Sequence, residues 1–138
     1  MENCPFCIIN KEKTIILEET KFSRAIFSNP ALVPCHILII PKRHLEKISD
    51  LTKEELEDMM NLTIKFEEKL LKRFSGCDIR QNFRPFQKQD RFKVNHFHIH
   101  LQPREFEDEL YKKCQIHEKI IFKDINLEEL KKQEALLK

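Results

Sequence analysis

The sequence predicts an α+β fold: an antiparallel sheet of short strands against one long helix, with a helical extension at the C-terminal end. Three observations carry this. Thr52-Lys53-Glu54-Glu55 has the form of a capping box, and Leu56, Met59, Met60, Thr63, Phe66, Leu70, Leu71 and Phe74 follow at helical spacing. His36-Ile37-Leu38-Ile39-Ile40 is a short apolar run, rich in β-branched residues and ended by Pro41. His96-Phe97-His98-Ile99-His100-Leu101 alternates with the period of a strand that has two different faces.

In chain order, Ile15-Ile16-Leu17 and residues 21–27 read as two strands joined by a polar turn at Glu18-Glu19-Thr20. Asn29-Pro30 and Pro34 break the chain before the buried strand at 36–40. The long helix starts after Thr52, and Gly76 is its expected C-terminal cap. Residues 77–83 read as a strand, 84–91 as a polar loop and 92–102 as the next strand. Asn126-Leu127-Glu128-Glu129 has the look of a second capping box, opening an amphipathic helix through Leu127, Leu130 and Leu137.

Composition narrows the function. The 138 residues suit one core, and 41% hydrophobic with 35% charged residues is far from the composition of disorder. The net charge of +2 does not by itself decide on nucleic acid, but it lacks the basic excess usual in polyanion binders, and no nucleic-acid partner is expected. No apolar run approaches the roughly 20 residues of a membrane span. The N-terminus lacks the basic and apolar regions of a signal peptide, so no membrane association and a cytoplasmic location are expected. The single glycine, Gly76, excludes a Walker loop and a Rossmann fingerprint. Any phosphate must therefore be held by side chains and ordinary backbone N–H groups. Five cysteines in a reducing compartment read as thiols or metal ligands, with Cys35, Cys77 and Cys114 expected to be buried thiols.

Half of the six histidines lie within five residues. On a strand, His96, His98 and His100 share one face, and Phe97, Ile99 and Leu101 point to the core. Three imidazoles side by side leave two chemistries open: a metal site, or phosphoryl and nucleotidyl transfer with one neutral imidazole as nucleophile.

The run His96-Phe97-His98-Ile99-His100-Leu101 resembles the His-φ-His-φ-His-φ signature of the histidine-triad (HIT) family, where φ is hydrophobic. Upstream, Val33-Pro34-Cys35-His36-Ile37-Leu38-Ile39-Ile40-Pro41-Lys42-Arg43-His44 resembles that family's Pro-Gly-His-x-Leu-Val-x-Pro-Lys-x-His block, with Cys35 in place of the glycine. The resemblance covers roughly residues 4–104. It implies a half-barrel HIT domain over residues 1–104, with 105–138 a C-terminal extension packed on or extending the same domain. It also implies a homodimer in which two protomers form one continuous sheet.

The resemblance further implies a nucleotide hydrolase or nucleotidyltransferase acting at the α-phosphate of a phosphoramidate or dinucleoside polyphosphate. His98 would be the nucleophile, forming a nucleotidyl-histidine, with its second ring nitrogen held by a backbone carbonyl. His100 would contact phosphate oxygens or the leaving group. His36 would brace the triad strand, and a purely structural role for it stands equally open.

Cys4-Pro5-Phe6-Cys7 by itself is a redox or metal motif. It also resembles the glutaredoxin active site, but only three residues precede Cys4 and no strand fits there, so thiol redox chemistry is not expected. In the HIT family and its galactose phosphate uridylyltransferase relatives, such a pair joins two histidines around structural zinc. The resemblance maps that Zn2+ site onto Cys4, Cys7, His44 and His96, with loss of the metal as the alternative.

Nucleotide contacts follow the family less closely. Ser28, with Asn29 after it, stands where Hint-like relatives place a ribose-binding acid. Asn82 falls where relatives have a phosphate-contacting Asn or Gln. Arg91-Phe92-Lys93 replaces a phosphate-binding pair. Arg84, Lys88, Arg91 and Lys93 offer charge to a polyphosphate or form a solvated basic loop. The substitutions at Ser28 and Phe92-Lys93 keep a second function in view: a zinc-stabilised nucleotide-binding or regulatory protein with little catalysis. A third is a metalloenzyme in which His96, His98 and His100 are all ligands.

Overall fold

The computed structural model describes residues 3–138, so the first two residues of the expected domain lie outside the described ones. The chain divides into two units, one running through Phe106 and one spanning Glu107–Lys138.

The first unit is built on five strands: β1 (Ile16–Glu19), β2 (Ser23–Phe27), β3 (Ile37–Pro41), β4 (Gly76–Arg80) and β5 (Ile99–Arg104). They form one open sheet in the order β1-β2-β3-β5-β4, and every neighbouring pair is antiparallel. Helix α1 (Lys53–Leu71) connects β3 to β4 and covers one face. Met59, Leu62, Phe66 and Leu70 on α1 pack there against Ala25, Ile37, Ile39, Phe97, Ile99 and Leu101. Ile26, Leu38 and Ile40 point to the opposite face, where Phe6 and Ile9 of the N-terminal segment pack on them. The two faces follow from strand alternation: β3 reads apolar throughout because both of its faces are covered.

The start of α1 forms as its sequence predicts. Thr52 Oγ1 accepts from Glu55 N at 3.1 Å, and Glu55 Oε1 accepts from Thr52 N at 2.9 Å. Glu55 is buried, and Arg43 reaches both of its oxygens at 2.7 and 3.1 Å. The Arg43 guanidinium holds the Glu55 carboxyl below the usual range, so the cap stays ionised at the positive end of the helix dipole.

Several expectations shift. Gly76 does not cap α1. The helix ends at Lys72 in a right-handed conformation, and Arg73 N and Phe74 N both return to Leu70 O. Gly76 instead opens β4, paired with Arg104. Strand β1 runs through Glu18 and Glu19, because their pairing with Ala25 and Arg24 outweighs their polarity. The turn falls at 20–22, where Thr20 Oγ1 donates to Asp58 on α1 at 2.5 Å. The ladder of the triad strand starts at Ile99 rather than at residue 92. Asp90 Oδ1 accepts from Phe92 N and Lys93 N, which bends residues 90–93 into a turn. Leu56, Met60 and Leu71 carry the helical period but stay exposed, since the α1 stripe is wider than the sheet face beneath it. Cys35 and Cys114 are exposed and Cys77 is half-buried, because Cys35 lies in a turn and Cys114 ends a short surface helix.

The second unit contains α2 (Glu109–Lys113), a 3₁₀ segment at Gln115–Ile120 and α3 (Leu127–Leu136). Asp108 caps α2 by accepting from Tyr111 N, and Asn126 caps α3 by accepting from Glu129 N. Leu127, Leu130 and Leu137 are exposed. Among the described residues no helix is long and apolar enough to cross a membrane.

Two substitutions check how α1 is held. Thr52→Ala removes one half of the capping box and should lower the unfolding free energy by about 1 kcal/mol. Met59→Ala opens a cavity at a fully buried position and should cost about 2–5 kcal/mol. Urea denaturation monitored by circular dichroism measures both.

Candidate active site

Strand β5 and the three residues before it present two faces. Phe97, Ile99 and Leu101 enter the core under α1. His98 and His100 line an open cavity of about 520 Å³ on the other face. Phe97 N donates to Leu45 O at 2.6 Å, which holds the chain in line before the ladder begins. Across the sheet, Arg80 on β4 and Leu38 on β3 flank His100.

Backbone groups set the tautomer of each imidazole. Leu32 N donates to His36 Nδ1 at 3.1 Å, so the His36 proton is on Nε2. That Nε2–H donates to His100 Nδ1 at 2.9 Å, which puts the His100 proton on its own Nε2. His98 Nδ1–H donates to the carbonyl of His96 at 2.6 Å, leaving Nε2 with its lone pair. The His98 and His100 rings meet at 4.7 Å between centroids, and Phe6 stands edge-on to His98 at 5.1 Å.

The site keeps these rings neutral. Burial lowers His100 to about 3, and the neighbouring His98, His36 and Arg80 add to the effect. Burial also lowers His36 to about 4, with Arg80 and His98 acting the same way. His98 is lowered by burial, against the opposing pull of its bond to the His96 carbonyl. Near neutral pH the cavity therefore offers one ring nitrogen with a free lone pair, on His98, beside one N–H donor, on His100.

His96 faces elsewhere. Its Nε2–H donates to Pro41 O at 2.8 Å. Its Nδ1 lies 3.3 Å from Cys4 Sγ, 3.6 Å from Cys7 Sγ and 3.2 Å from His44 Nδ1, and His44 Nδ1 is 3.3 Å from Cys7 Sγ. Four potential ligand atoms thus lie within 4.8 Å of one another. A tetrahedral zinc ion with two sulfur and two nitrogen ligands requires ligand–ligand separations of roughly 3.3–3.8 Å, close to those found. The bond to Pro41 O directs the His96 lone pair at Nδ1 inward, as metal-binding histidines require. The residues fit a metal ion. His98 turns its Nδ1 to a backbone carbonyl instead of this cluster, so His96, His98 and His100 do not converge on one ion.

The other expected site residues divide. Asn82 and Lys93 line the cavity with His98 and His100. Lys93 is also a fastener for its loop, with its ammonium 2.6 Å from Gln87 O and from Asn95 Oδ1. Arg91 is not brought to the cavity and lies over the ring of Phe92. Ser28 and Asn29 do not line it either. The Ser28 hydroxyl donates to Pro30 O at 2.8 Å and the Asn29 amide to Lys13 O at 2.7 Å. Sequence reasoning missed Arg80, which lines the cavity from the end of β4. Its signal was available only through strand register, which places it opposite His100. It also missed Phe6, hidden inside the Cys-x-x-Cys motif.

Comparisons with known proteins identify the family and the fold. The family model of the HIT domain matches residues 10–107. Among relatives, the chain is 29% identical over 103 residues to a bis(5'-nucleosyl)-tetraphosphatase (asymmetrical) of Schizosaccharomyces pombe, covering 67% of this chain and 50% of that protein. It is 33% identical to a bis(5'-adenosyl)-triphosphatase of Dictyostelium discoideum, covering 62% and 56%. It is 32% identical to the adenosine 5'-monophosphoramidase HNT1 of Saccharomyces cerevisiae, covering 73% and 62%. The chain thus spans about half to three fifths of the length of these relatives. Among solved structures, a HIT family hydrolase from Clostridium thermocellum superposes with a TM-score of 0.63 at 28% identity, over 78% of this chain and 96% of that one. A zinc-bound histidine triad family protein from Mycobacterium smegmatis gives 0.64 at 24% identity, over 79% and 80%. With the family model matched across the sheet, the long helix and all three histidines of the triad run, this chain belongs to the HIT family.

Proposed function

We propose that the protein is a nucleotide hydrolase or nucleotidyltransferase that acts at an α-phosphate through a covalent intermediate on His98. The observation that carries this is the pairing of tautomers: His98 Nε2 is unprotonated while the adjacent His100 Nε2 carries a proton. A neutral imidazole with a free lone pair is a competent nucleophile near pH 7. Relatives that act on dinucleoside polyphosphates and on an adenosine phosphoramidate support the substrate class.

In the first step, the His98 Nε2 lone pair forms a bond to Pα. The bond from Pα to the leaving group breaks, and its electron pair departs with that group. His100 Nε2–H donates a hydrogen bond to a phosphate oxygen or to the departing atom, stabilising charge where it develops. In the second step, the oxygen of water or of another acceptor bonds to Pα and releases its proton to solvent, the N–P bond breaks, and the electron pair returns to Nε2. His36 is a positioning residue that acts through His100 by dictating which nitrogen carries its proton. Asn82, which lines the same cavity, would hold a phosphate oxygen. Ser28 and Asn29, at the end of β2, would reach a ribose only through groups left free by their bonds to Pro30 O and Lys13 O.

Cys4, Cys7, His44 and His96 would hold Zn2+, supplying structural cross-linking of the N-terminal segment to the triad strand and no chemistry at the phosphate. The chain would work as a homodimer. Leu56, Met60 and Ile64 form an exposed apolar strip along α1, and β4 is an edge strand with Ile79 exposed, so a second copy could extend the sheet and cover both.

His98→Asn should lower turnover at least about a thousandfold with nucleotide binding retained. Mass spectrometry of the wild type after brief incubation with a nucleotide panel should show a nucleotidyl adduct on His98. Turnover near wild type in the variant would remove His98 from this role. Purified protein should contain one zinc per chain by atomic emission. Cys4→Ser should lose it and melt at lower temperature, whereas metal-free wild type would end the zinc reading.

Stability should also report on His36. Its folded pKa of about 4 lies below the unfolded value of 6.5, and Arg80, His98 and His100 face it. Between those values the unfolded chain takes up a proton that the folded chain refuses. Stability is therefore full above about pH 6.5 and declines toward pH 4, by up to about 3 kcal/mol from this group. Urea denaturation from pH 7 to 4.5 should show a shallower decline in His36→Gln than in the wild type.

A further inference from the structure

We propose that Arg80, Arg84 and Lys88 form a cradle for an anionic leaving group. It would select nucleotides whose α-phosphate is followed by a polyphosphate chain, the dinucleoside polyphosphates, over nucleoside phosphoramidates. The proposal rests on the α-phosphate reading above and names the substrate class for it.

Three observations converge. Arg80, Arg84 and Lys88 line the same cavity as His98 and His100, and the register places Arg80 directly across from His100. Asp90 is the one carboxylate lining that cavity, and its Oδ1 is turned to the backbone N–H groups of Phe92 and Lys93. Among the described residues, no carboxylate is in ion-pair contact with Arg80, Arg84 or Lys88.

The loop that carries Arg84 and Lys88 is held in shape from within. Lys93 binds Gln87 O and Asn95 Oδ1, Gln89 Oε1 accepts from Asn95 N, and Gln89 Nε2 donates to Asn3 O. Lys93 is thereby the fastener, and the cradle consists of the three cations that remain.

The chemistry separates the two substrate classes. When the bond from Pα to a polyphosphate oxygen breaks, the electron pair stays on that oxygen and the group departs as an anion without needing a proton. Nearby guanidinium and ammonium groups stabilise that charge. When the bond from Pα to an amine nitrogen breaks, the nitrogen must gain a proton to leave. Adjacent positive charge does nothing for such a group and opposes its protonation.

The test compares the wild type with the triple variant Arg80→Gln, Arg84→Gln, Lys88→Gln. All three positions are exposed, and thermal melting checks that the variant is folded. kcat/KM for diadenosine tetraphosphate should fall at least about tenfold more than kcat/KM for adenosine 5'-phosphoramidate. Inorganic tripolyphosphate, titrated calorimetrically at low salt, should bind the wild type and lose most of its affinity for the variant. Equal losses on the two nucleotides, or unchanged tripolyphosphate binding, would overturn the cradle while leaving the α-phosphate reading intact. Turnover of neither nucleotide by the wild type would overturn that reading, and the selectivity with it, whatever tripolyphosphate does.

Discussion

Strand β5 and its approach must satisfy an apolar core on one side and a polar cavity on the other, residue by residue. Phe97, Ile99 and Leu101 are nearly inaccessible beneath α1, so the register of this segment against β3 and β4 cannot slip by one residue without turning three large apolar side chains toward the cavity. The same constraint holds His98 and His100 in place. Rigidity at the site is therefore a consequence of hydrophobic burial on the opposite face, and the placement of His98 and His100 needs no separate scaffold.

Within that frame, backbone groups decide how each imidazole is protonated. The bonds from Leu32 to His36, His36 to His100, His98 to the His96 carbonyl and His96 to the Pro41 carbonyl form a set in which no ring is free to exchange tautomers alone. Burial suppresses the charged forms, which removes the mutual repulsion that three protonated neighbours would suffer. Four histidines of one chemical type thus take different roles. Two face the cavity, one orients a neighbour, and one turns toward Cys4, Cys7 and His44.

The segment between β4 and β5 adds a further element to the cavity. Asp90 and Lys93 fold it on itself, and its Arg84 and Lys88 line the cavity of His98 and His100 without carboxylate partners among the described residues. Strand order explains why Arg80 joins them. β4 pairs with β5 at the edge of the sheet, so its last residue emerges beside His100. The positive charge beside His98 and His100 is thus set partly by a loop and partly by strand register.

By itself, the sequence determined the parts that depend on local pattern: the capping box at Thr52 and Glu55, the buried run of β3, the alternation through the triad, and the Cys4-Pro5-Phe6-Cys7 pair, whose link to His44 and His96 only the family resemblance implied. These were legible because period, capping chemistry and ligand type act over a few residues. Only the tertiary structure decided that Gly76 starts a strand instead of ending a helix, since the return bonds to Leu70 O already close α1. It also decided that Arg80 reaches the cavity while Arg91 does not, and that the donor groups of Ser28 and Asn29 are taken up by nearby carbonyls. Those outcomes depend on strand register and on partners up to 28 residues away along the chain, and no local pattern encodes which partner a polar side chain will meet first.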